Sequence, residues 1–292
     1  MNQEINKNLT VIIVTFNEEK LISRAIESVA KLNVETIIFD SFSSDRTKEI
    51  AESFGCKVIQ DYWENWTVKI NSAISSKLIK TPWVMRVDAD EFLTDELISE
   101  LKSESFFDVD NEVVGFNIYR RIHFLGKWIR HGDMYQKCTR IFRYQHVKYE
   151  ERILDEHVAT NGKILQTRGD LVDSQDKGLS FWLKKHIRNA QIECYVDWNN
   201  TNQKDSWKNH HGMMKLRRFL KEEIYSRIPF FIRPPMYWFY RYFIRLGFLD
   251  GIQGLIFHFL HAFWYRLIID AMIFEAKKEK GATLINLEDI SG

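Results

Sequence analysis

The stretch Trp83-Val84-Met85-Arg86-Val87-Asp88-Ala89-Asp90-Glu91 decides how the rest of the sequence is interpreted. Its first part is a short apolar run, which predicts a buried strand. Three carboxylates follow within four residues, and an unpaired carboxylate is costly to bury. A divalent cation would satisfy them, because Mg²⁺ and Mn²⁺ prefer oxygen ligands. The alternative is a solvated acidic turn that caps the next helix.

Strands and helices alternate through the first hundred residues. The apolar runs that predict strands are 9–15, 34–39, 56–60 and 83–87. Each of the first three is followed by a segment in which apolar residues recur at helical spacing. Because strands that alternate with helices form parallel sheets, the pattern predicts a doubly wound α/β domain.

Polar residues stand where the predicted strands end. Thr15 and Asn17 follow the first strand, Asp40 ends the second and Asp88 ends the fourth. In a doubly wound sheet the carboxyl ends of these strands meet along one edge, and ligands bind there. We therefore expect these side chains to act together.

The pattern changes after residue 111. Strands are predicted at 113–119 and 138–143, as part of a mixed sheet. The acidic segment 150–157 follows, and the residues from there to Gly178, which include further glycines and aspartates, are expected to form a loop. Helical spacing returns at 179–198.

The C-terminal region differs in composition. A polar linker is predicted at 199–212, and residues 213–292 are rich in aromatic residues interspersed with Arg233, Arg241 and Arg245. No segment gives a clean run of about 20 apolar residues, as a spanning helix requires. Rings beside arginines are typical of helices in the headgroup region, where arginine contacts lipid phosphate. The alternative is a helical hairpin that packs on the first domain or on a second subunit.

Composition narrows the class of protein. The 292 residues carry a net charge of +1, which argues neither for nor against a nucleic-acid partner. No nucleic-acid partner is expected for the hypothesis developed below. The cysteines Cys56, Cys138 and Cys194 lie far apart, which argues against disulfides and zinc and is typical of a reducing cytosol. Residues 1–8 are polar and lack the apolar core of a signal peptide.

Three motifs together carry a family resemblance: Val11-Ile12-Ile13-Val14-Thr15-Phe16-Asn17-Glu18-Glu19, Asp40-Ser41-Phe42-Ser43-Ser44-Asp45-Arg46-Thr47 and Asp88-Ala89-Asp90-Glu91. In this order the chain resembles the family 2 inverting glycosyltransferases with the GT-A fold, a Rossmann-like doubly wound mixed sheet. Within that family it is similar to bacterial lipopolysaccharide-core and surface-polysaccharide glucosyltransferases. The resemblance implies a transferase domain at 1–198, with a nucleotide half at about 9–110 and an acceptor half at about 111–198. A helical region at 213–292, associated with the membrane surface, follows the linker.

The resemblance also implies roles for individual residues. The nucleotide-sugar contacts that it implies are Thr15, Asn17, Glu18, Asp40, Lys69, Asn71 and Asp88. The ligands of a Mn²⁺ or Mg²⁺ ion would be Asp90, Asp88 and His157. The catalytic base would be Glu156, with Asp155 as the second candidate. Helix capping is the alternative for Thr15 and Glu18, and a solvated helix lysine is the alternative for Lys69.

The resulting hypothesis is a metal-dependent inverting transferase that moves a sugar from a UDP-sugar to a glycan acceptor. The acceptor would be a lipid-linked saccharide or a lipopolysaccharide core, and the protein would lie on the inner face of the cytoplasmic membrane. A homodimer is a further expectation. A phosphohydrolase whose Asp-x-Asp carries a nucleophile is less favoured, because the motif falls on the fourth strand rather than the first. A non-enzymatic membrane scaffold with a degenerate nucleotide fold would be expected to lose Asp88 and Asp90, and both are present.

Overall fold

The computed structural model describes residues 7–62, 66–103, 105–149, 158–160, 162–199 and 228–278. Contacts within the chain divide it into two compact units. The first unit comprises residues 1–128 and 134–177, and the second comprises 129–133 and 178–292. The helix that begins at Leu179 is thus grouped with the second unit, whereas the sequence analysis grouped it with the transferase domain.

The first unit is built on one large sheet. The described strands, in chain order, are β1 (Leu9–Thr15), β2 (Glu35–Asp40), β3 (Lys57–Gln60), β4 (Trp83–Asp88), β5 (Glu91–Leu93), β6 (Val113–Phe124), β7 (Lys127–Ile129), β8 (Gln136–Arg143), β9 (Val147–Tyr149), β10 (Val158–Thr160) and β11 (Lys163–Ser174). The helices between them are α1 (Ile22–Ala30), α2 (Thr47–Ser53), α3 (Trp66–Ile74) and α4 (Asp95–Leu101). The sheet has the order β3-β2-β1-β4-β8-β6-β11-β5, with β7 beside β6, while β9 and β10 pair separately.

The sheet is parallel in one half and mixed in the other. Strand β1 lies between β2 and β4 and runs parallel to both, and all of its residues are buried. Strand β8 is antiparallel to β4 and to β6, and β11 is parallel to β6 but antiparallel to β5. This arrangement confirms the predicted fold: a doubly wound nucleotide half extended into a mixed GT-A sheet.

Apolar residues cover both faces of the sheet. On one face, Ala25 of α1, Ala51 of α2 and Leu97 of α4 pack in one cluster with strand residues. On the other face, Ile70 of α3 packs with Ile12 and with neighbouring strand residues. Burial on both faces explains why β1 and β4 are nearly continuous apolar runs.

Strand β11 was missed by the sequence analysis, which expected a loop up to Gly178. Its residues, including Gly169 and Asp170, are too polar to read as a strand, but pairing with β6 and β5 fixes them in the sheet. Gly169 has a packing role: a Cβ added there would lie 2.2 Å from the backbone nitrogen of Leu97. The absence of a side chain therefore lets β11 approach α4.

The described part of the second unit is helical. Its helices are α5 (Leu179–Asn199), α6 (Arg233–Phe239), α7 (Gly251–His258) and α8 (Tyr265–Lys278). A π-helical turn at Tyr240–Ile244 extends α6. A 3₁₀ turn before α7 and a π-helical turn after it join the rest into one helix, Gly247–Lys278. Helix α5 packs against α8 through an apolar cluster that includes Ala190, Cys194 and Ile269.

Of the three arginines singled out from the sequence, Arg233 and Arg241 form hydrogen bonds within the second unit. Arg241 is only 3% exposed and donates from Nε to the carbonyl oxygen of Gly132 at 2.7 Å. Arg233 donates from Nε to the Asp270 carboxylate at 2.7 Å. Their expected contact with lipid phosphate is therefore wrong, because both guanidinium groups are used inside the unit.

By length and composition, one helix among the described residues could cross a membrane. It is the helix Gly247–Lys278, whose most apolar 18-residue window has a mean hydropathy of 1.3. The sequence pattern had predicted no clean spanning segment in this region.

Candidate active site

The loops that follow β1 and β2 hold each other in place. Asn17, in the left-handed region with a φ of 54°, donates its backbone N–H to Ser43 Oγ at 2.8 Å. Its side-chain oxygen accepts from the Ser44 backbone N–H at 2.8 Å. The Glu18 backbone N–H in turn donates to Thr47 Oγ1 at 2.7 Å. The first two sequence motifs are thus joined by a hydrogen-bond network at the carboxyl ends of β1 and β2.

Asp40 is buried and belongs to the same hydrogen-bond network. Its Oδ2 accepts hydrogen bonds from the Ser43 backbone N–H at 2.9 Å and from Gln60 Nε2 at 2.8 Å. Its Oδ1 accepts from the Ser43 hydroxyl. Since a carboxylate offers about four lone-pair sites, one site on Oδ1 is left for a further donor. The carboxylate is therefore fully buried and fixed in position, and by this count one lone pair of Oδ1 has no donor among the described residues.

Lys69 connects the ends of β1 and β2. The side chain is 2% exposed, and Nζ donates to the Thr15 carbonyl oxygen at 2.5 Å and to Ser41 Oγ at 2.6 Å. Burial lowers the pKa of Lys69 to about 8, against the opposing effect of the carboxylates of Asp40 and Asp88. The solvated helix lysine considered in the sequence analysis is therefore excluded.

Thr15 and Glu18 do not cap α1, whose N-cap position is Leu21 without a side-chain hydrogen bond. The Thr15 hydroxyl is buried and has no hydrogen-bond partner among the residues that the structure describes. Buried hydroxyls are rarely left unpaired, so this atom is suited to a ligand. Glu18 forms an ion pair with Lys177 at 2.7 Å, which ties the first loop to the end of β11.

The first carboxylate of the Asp-x-Asp motif is held by two arginines. Arg86 donates to Asp88 through Nε at 2.9 Å and Nη2 at 3.0 Å, and Arg140 Nη2 donates to the same carboxylate at 3.0 Å. Arg140 Nη2 also donates to Glu91 Oε1 at 2.7 Å, and Glu91 Oε2 accepts from the Asp88 backbone N–H at 3.0 Å. We call Arg86, Asp88, Glu91 and Arg140 the carboxylate-arginine cluster.

Burial and charge act in opposite directions within this cluster. Burial would raise the pKa of Asp88, but the guanidinium groups of Arg140 and Arg86 outweigh it and lower that pKa to about 2. For Glu91, burial prevails over Arg140 and raises the pKa to about 7. Asp88 is consequently ionised near neutral pH, whereas the raised pKa of Glu91 lies close to neutral pH.

Asp90 is the carboxylate of the motif that fits a metal ion best. It is half-buried at the turn after β4, and its Oδ2 accepts from Gln175 Nε2 at 2.6 Å. Both oxygens of Asp88, by contrast, are occupied by guanidinium groups. Among the described residues, no group of three or more His, Cys, Asp or Glu side chains converges as a metal cluster. One carboxylate still fits Mg²⁺ or Mn²⁺, because such ions are commonly held by one or two carboxylates and substrate phosphates.

Other predicted site residues lie apart from these groups or outside the described residues. Asn71 pairs with the backbone of Tyr149: its Nδ2 donates to the carbonyl oxygen at 3.0 Å and its Oδ1 accepts the N–H at 2.9 Å. This amide docks α3 on β9. The predicted base Glu156, its alternative Asp155 and the predicted metal ligand His157 fall outside the described residues.

Several residues of the site were missed. Arg86 interrupts an apolar strand, and a charge in a buried run should have indicated a carboxylate partner. Gln175 and Lys177 follow β11, and no local signal pointed to them because their partners, Asp90 and Glu18, are distant in sequence. Asp173, on β11 opposite Glu91, lies 3.6 Å from Arg120 and is a further carboxylate near the motif.

This chain is similar to several known proteins. An uncharacterized glycosyltransferase of Rickettsia conorii is 25% identical over 90% of this chain and 89% of its own length. Another, of Rickettsia bellii, is 30% identical over 52% of each chain. The solved structure of Staphylococcus aureus TarS residues 1–349 with UDP-GlcNAc is 14% identical, with a TM-score of 0.45, and the match covers 94% of this chain and 93% of that one.

The family model described as "Glycosyl transferase family 2" matches residues 10–168. This match runs from β1 into β11 and contains all three sequence motifs, Lys69 and the carboxylate-arginine cluster. It covers more than half of the 292 residues. This chain belongs to glycosyl transferase family 2.

Proposed function

We propose that this chain transfers a sugar from a UDP-sugar to a glycan acceptor, with inversion at the anomeric carbon and with Mn²⁺ or Mg²⁺. The observation that carries the proposal is the placement of Thr15, Asp40 and Asp88 at the carboxyl ends of β1, β2 and β4, which are neighbours in the sheet. Ligands of doubly wound sheets bind at this edge. Lys69 adds a positive charge at the same edge.

Asp40 is suited to read the base. Its carboxylate can accept one more hydrogen bond, and the imide N–H of uracil is a donor that cytosine lacks. The loops around Asn17 and Glu18 would hold the ribose side, together with the Thr15 hydroxyl. Asp88, fixed by Arg86 and Arg140, sets the position of the turn that carries Asp90.

Asp90 would hold the cation, with His157 as the other proposed ligand, and Lys69 would add charge beside the diphosphate. Asp88, the third ligand expected from the sequence, is bound through both oxygens by Arg86 and Arg140 and is proposed only to position the turn. A metal ion bound there would supply positive charge for the leaving diphosphate. In the transfer, the acceptor oxygen bonds to the anomeric carbon as the bond from that carbon to the diphosphate oxygen breaks. The acceptor proton passes to Glu156, or to Asp155, acting as general base.

The acceptor proposed is a lipid-linked saccharide or a lipopolysaccharide core, reached by peripheral contact with the cytoplasmic membrane. The helical region, with its many rings, supports the membrane contact. A homodimer through the same region is a further expectation, and its test is the mass of the particle in solution.

The metal-dependent nucleotide site is tested by thermal unfolding. UDP should raise the melting temperature of the full chain when Mn²⁺ is present, and Asp90→Asn should remove that increase. Asp108→Asn, an exposed aspartate elsewhere in the first unit, is the matched control and should keep it. Stabilisation by UDP that is equal with and without metal would refute the role of Asp90. Slow hydrolysis across a panel of UDP-sugars with Mn²⁺ would then identify the donor.

A further inference from the structure

The helices of the second unit carry large apolar side chains on their exposed side. We call this set the exposed apolar stripe. It consists of Ile232, Met236, Phe239, Tyr240, Phe243, Ile244, Leu246, Phe248, Leu249, Ile252, Leu255 and Phe259. Along both helical segments its members recur at spacings of three and four, so they form a continuous face of each. Ile244 and Ile252 are the most exposed, at 61% and 62%.

The opposite side of the same helices buries apolar Phe257 and also holds charged groups. Asp250 is buried and accepts from the backbone N–H of His131 at 2.9 Å and stands 2.8 Å from His131 Nδ1. Arg241 is buried against the Gly132 carbonyl oxygen, and its Nη1 lies 3.0 Å from His261 Nδ1. The charged groups of these helices therefore find partners inside the unit.

This arrangement reverses the one found in soluble proteins. A soluble protein buries apolar side chains and exposes charges, and contiguous exposed apolar patches beyond a few hundred Å² mark interaction sites. In a bilayer, apolar side chains face lipid while charged residues face inward and pair with one another. Buried Asp250 and Arg241 beneath exposed Ile244, Phe248 and Ile252 follow the second pattern.

Electrostatic attraction is a weak source of binding here. Of the three arginines between residues 233 and 245, Arg233 and Arg241 point inward to Asp270 and Gly132. Arg245 is 46% exposed at its side chain and forms an ion pair with Asp133 at 3.0 Å. Within the described residues that carry the stripe, 232–259, all three arginines thus have partners inside the unit.

We propose that α6 and α7 insert the exposed apolar stripe into the hydrocarbon of one leaflet of a phospholipid bilayer, so that attachment does not require anionic lipid. This inference rests on the membrane contact proposed above and specifies the surface that makes it. The part of the long helix that carries the stripe runs from Gly247 to Phe259, about 20 Å at 1.5 Å per residue. That is shorter than the roughly 30 Å hydrocarbon core, so the stripe reaches one leaflet and does not span.

Flotation of the full chain with vesicles tests this inference. The protein should float equally with vesicles of neutral phosphatidylcholine and with vesicles that also contain anionic phosphatidylglycerol. High salt should not release it, because salt screens charge and strengthens apolar association. Binding that requires the anionic lipid or is lost in high salt would overturn the proposal.

Variants at exposed positions identify the surface. Ile244→Gln combined with Ile252→Gln should lower the partition coefficient at least about tenfold, since two large exposed apolar groups leave the hydrocarbon. Phe54→Gln, an exposed apolar residue of the first unit, and Arg245→Gln should float like the wild type. Equal flotation of the double variant, or loss of flotation in Arg245→Gln, would contradict the inference.

Two further measurements separate the possible failures. Stabilisation by UDP and Mn²⁺ should be unchanged in the Ile244→Gln, Ile252→Gln variant, which shows that the variant is folded and that the nucleotide site is independent of the stripe. A second copy of the chain is the competing occupant. If the wild type fails to float but forms a dimer that the double variant cannot form, the stripe is a subunit interface and the inference is wrong.

Discussion

Replacing Arg140 by methionine tests the carboxylate-arginine cluster. In the wild type, Arg140 Nη2 donates to Asp88 at 3.0 Å and to Glu91 at 2.7 Å, and the arginine and glutamate are buried. Methionine keeps much of the apolar stem but leaves Glu91 without its guanidinium partner. Because Glu91 must then either stay ionised without a partner or take up a proton, and Asp88 loses one of its two arginines, we expect the free energy of unfolding to fall by about 3–5 kcal/mol.

A second estimate, from the hydrogen bonds that are lost, gives a similar change in the free energy of unfolding. Hydrogen bonds to charged groups contribute about 1.5–3 kcal/mol each, and Arg140 makes one with each of two carboxylates. In a domain of this size, about 1 kcal/mol corresponds to about 2–4 °C in melting temperature. Arg140→Met should therefore lower the melting temperature by about 6–20 °C. Urea denaturation followed by circular dichroism, together with calorimetry, measures both quantities.

A second substitution shows whether the lost charge pairing is the cause. Glu91→Gln in the Arg140→Met background removes the unpaired carboxylate and should restore about 1–3 kcal/mol, whereas Asp88 keeps Arg86. Arg143 is the matched control on the same strand: it donates to the Val113 carbonyl oxygen at 2.7 Å, and no ion pair to a carboxylate is found for it among the described residues. Arg143→Met and Glu91→Gln should be additive within about 0.5 kcal/mol. A loss below about 1 kcal/mol in Arg140→Met, or no recovery in the double variant, would refute the reasoning.

Two other predictions concern single residues of the first unit. Burial raises the pKa of Glu91 to about 7 from an ordinary value of 4.5. The folded state therefore binds this proton more tightly than the unfolded state does. The stability that this adds is fully present below about pH 4.5 and is lost as the pH rises through about 7. Glu91→Gln should therefore reduce the change of the urea midpoint with pH between pH 4.5 and 7. A pH dependence equal to that of the wild type would contradict this. Gly169→Ala would place a Cβ 2.2 Å from the Leu97 backbone nitrogen and should cost about 1–3 kcal/mol of unfolding free energy, or more. A urea midpoint equal to that of the wild type would show that β11 and α4 can move apart.

The nucleotide half of the fold is readable from local patterns. Strand β1 begins and ends at the predicted residues, because seven consecutive apolar and β-branched residues fit only a strand buried on both faces. Thr94, a residue type favoured at the N-cap, caps α4 by accepting from the Leu97 backbone N–H. Strand β11 was not readable, because its polar residues are held by pairing with β6 and β5 rather than by their own pattern.

The sequence by itself determined which polar residues stand at the strand ends, since the spacing of apolar runs sets where each strand stops. It therefore brought Thr15, Asp40 and the Asp-x-Asp motif to one edge of the sheet. Only the tertiary structure decided what each side chain does there. In the folded chain Asp88 pairs with Arg86 and Arg140, whereas Asp90 accepts a hydrogen bond from Gln175. Local sequence could not indicate Arg140 and Gln175, because they are distant in sequence from the motif. The tertiary structure also turned Arg241 inward and the apolar stripe outward, and composition carries no information about which side of a helix meets solvent.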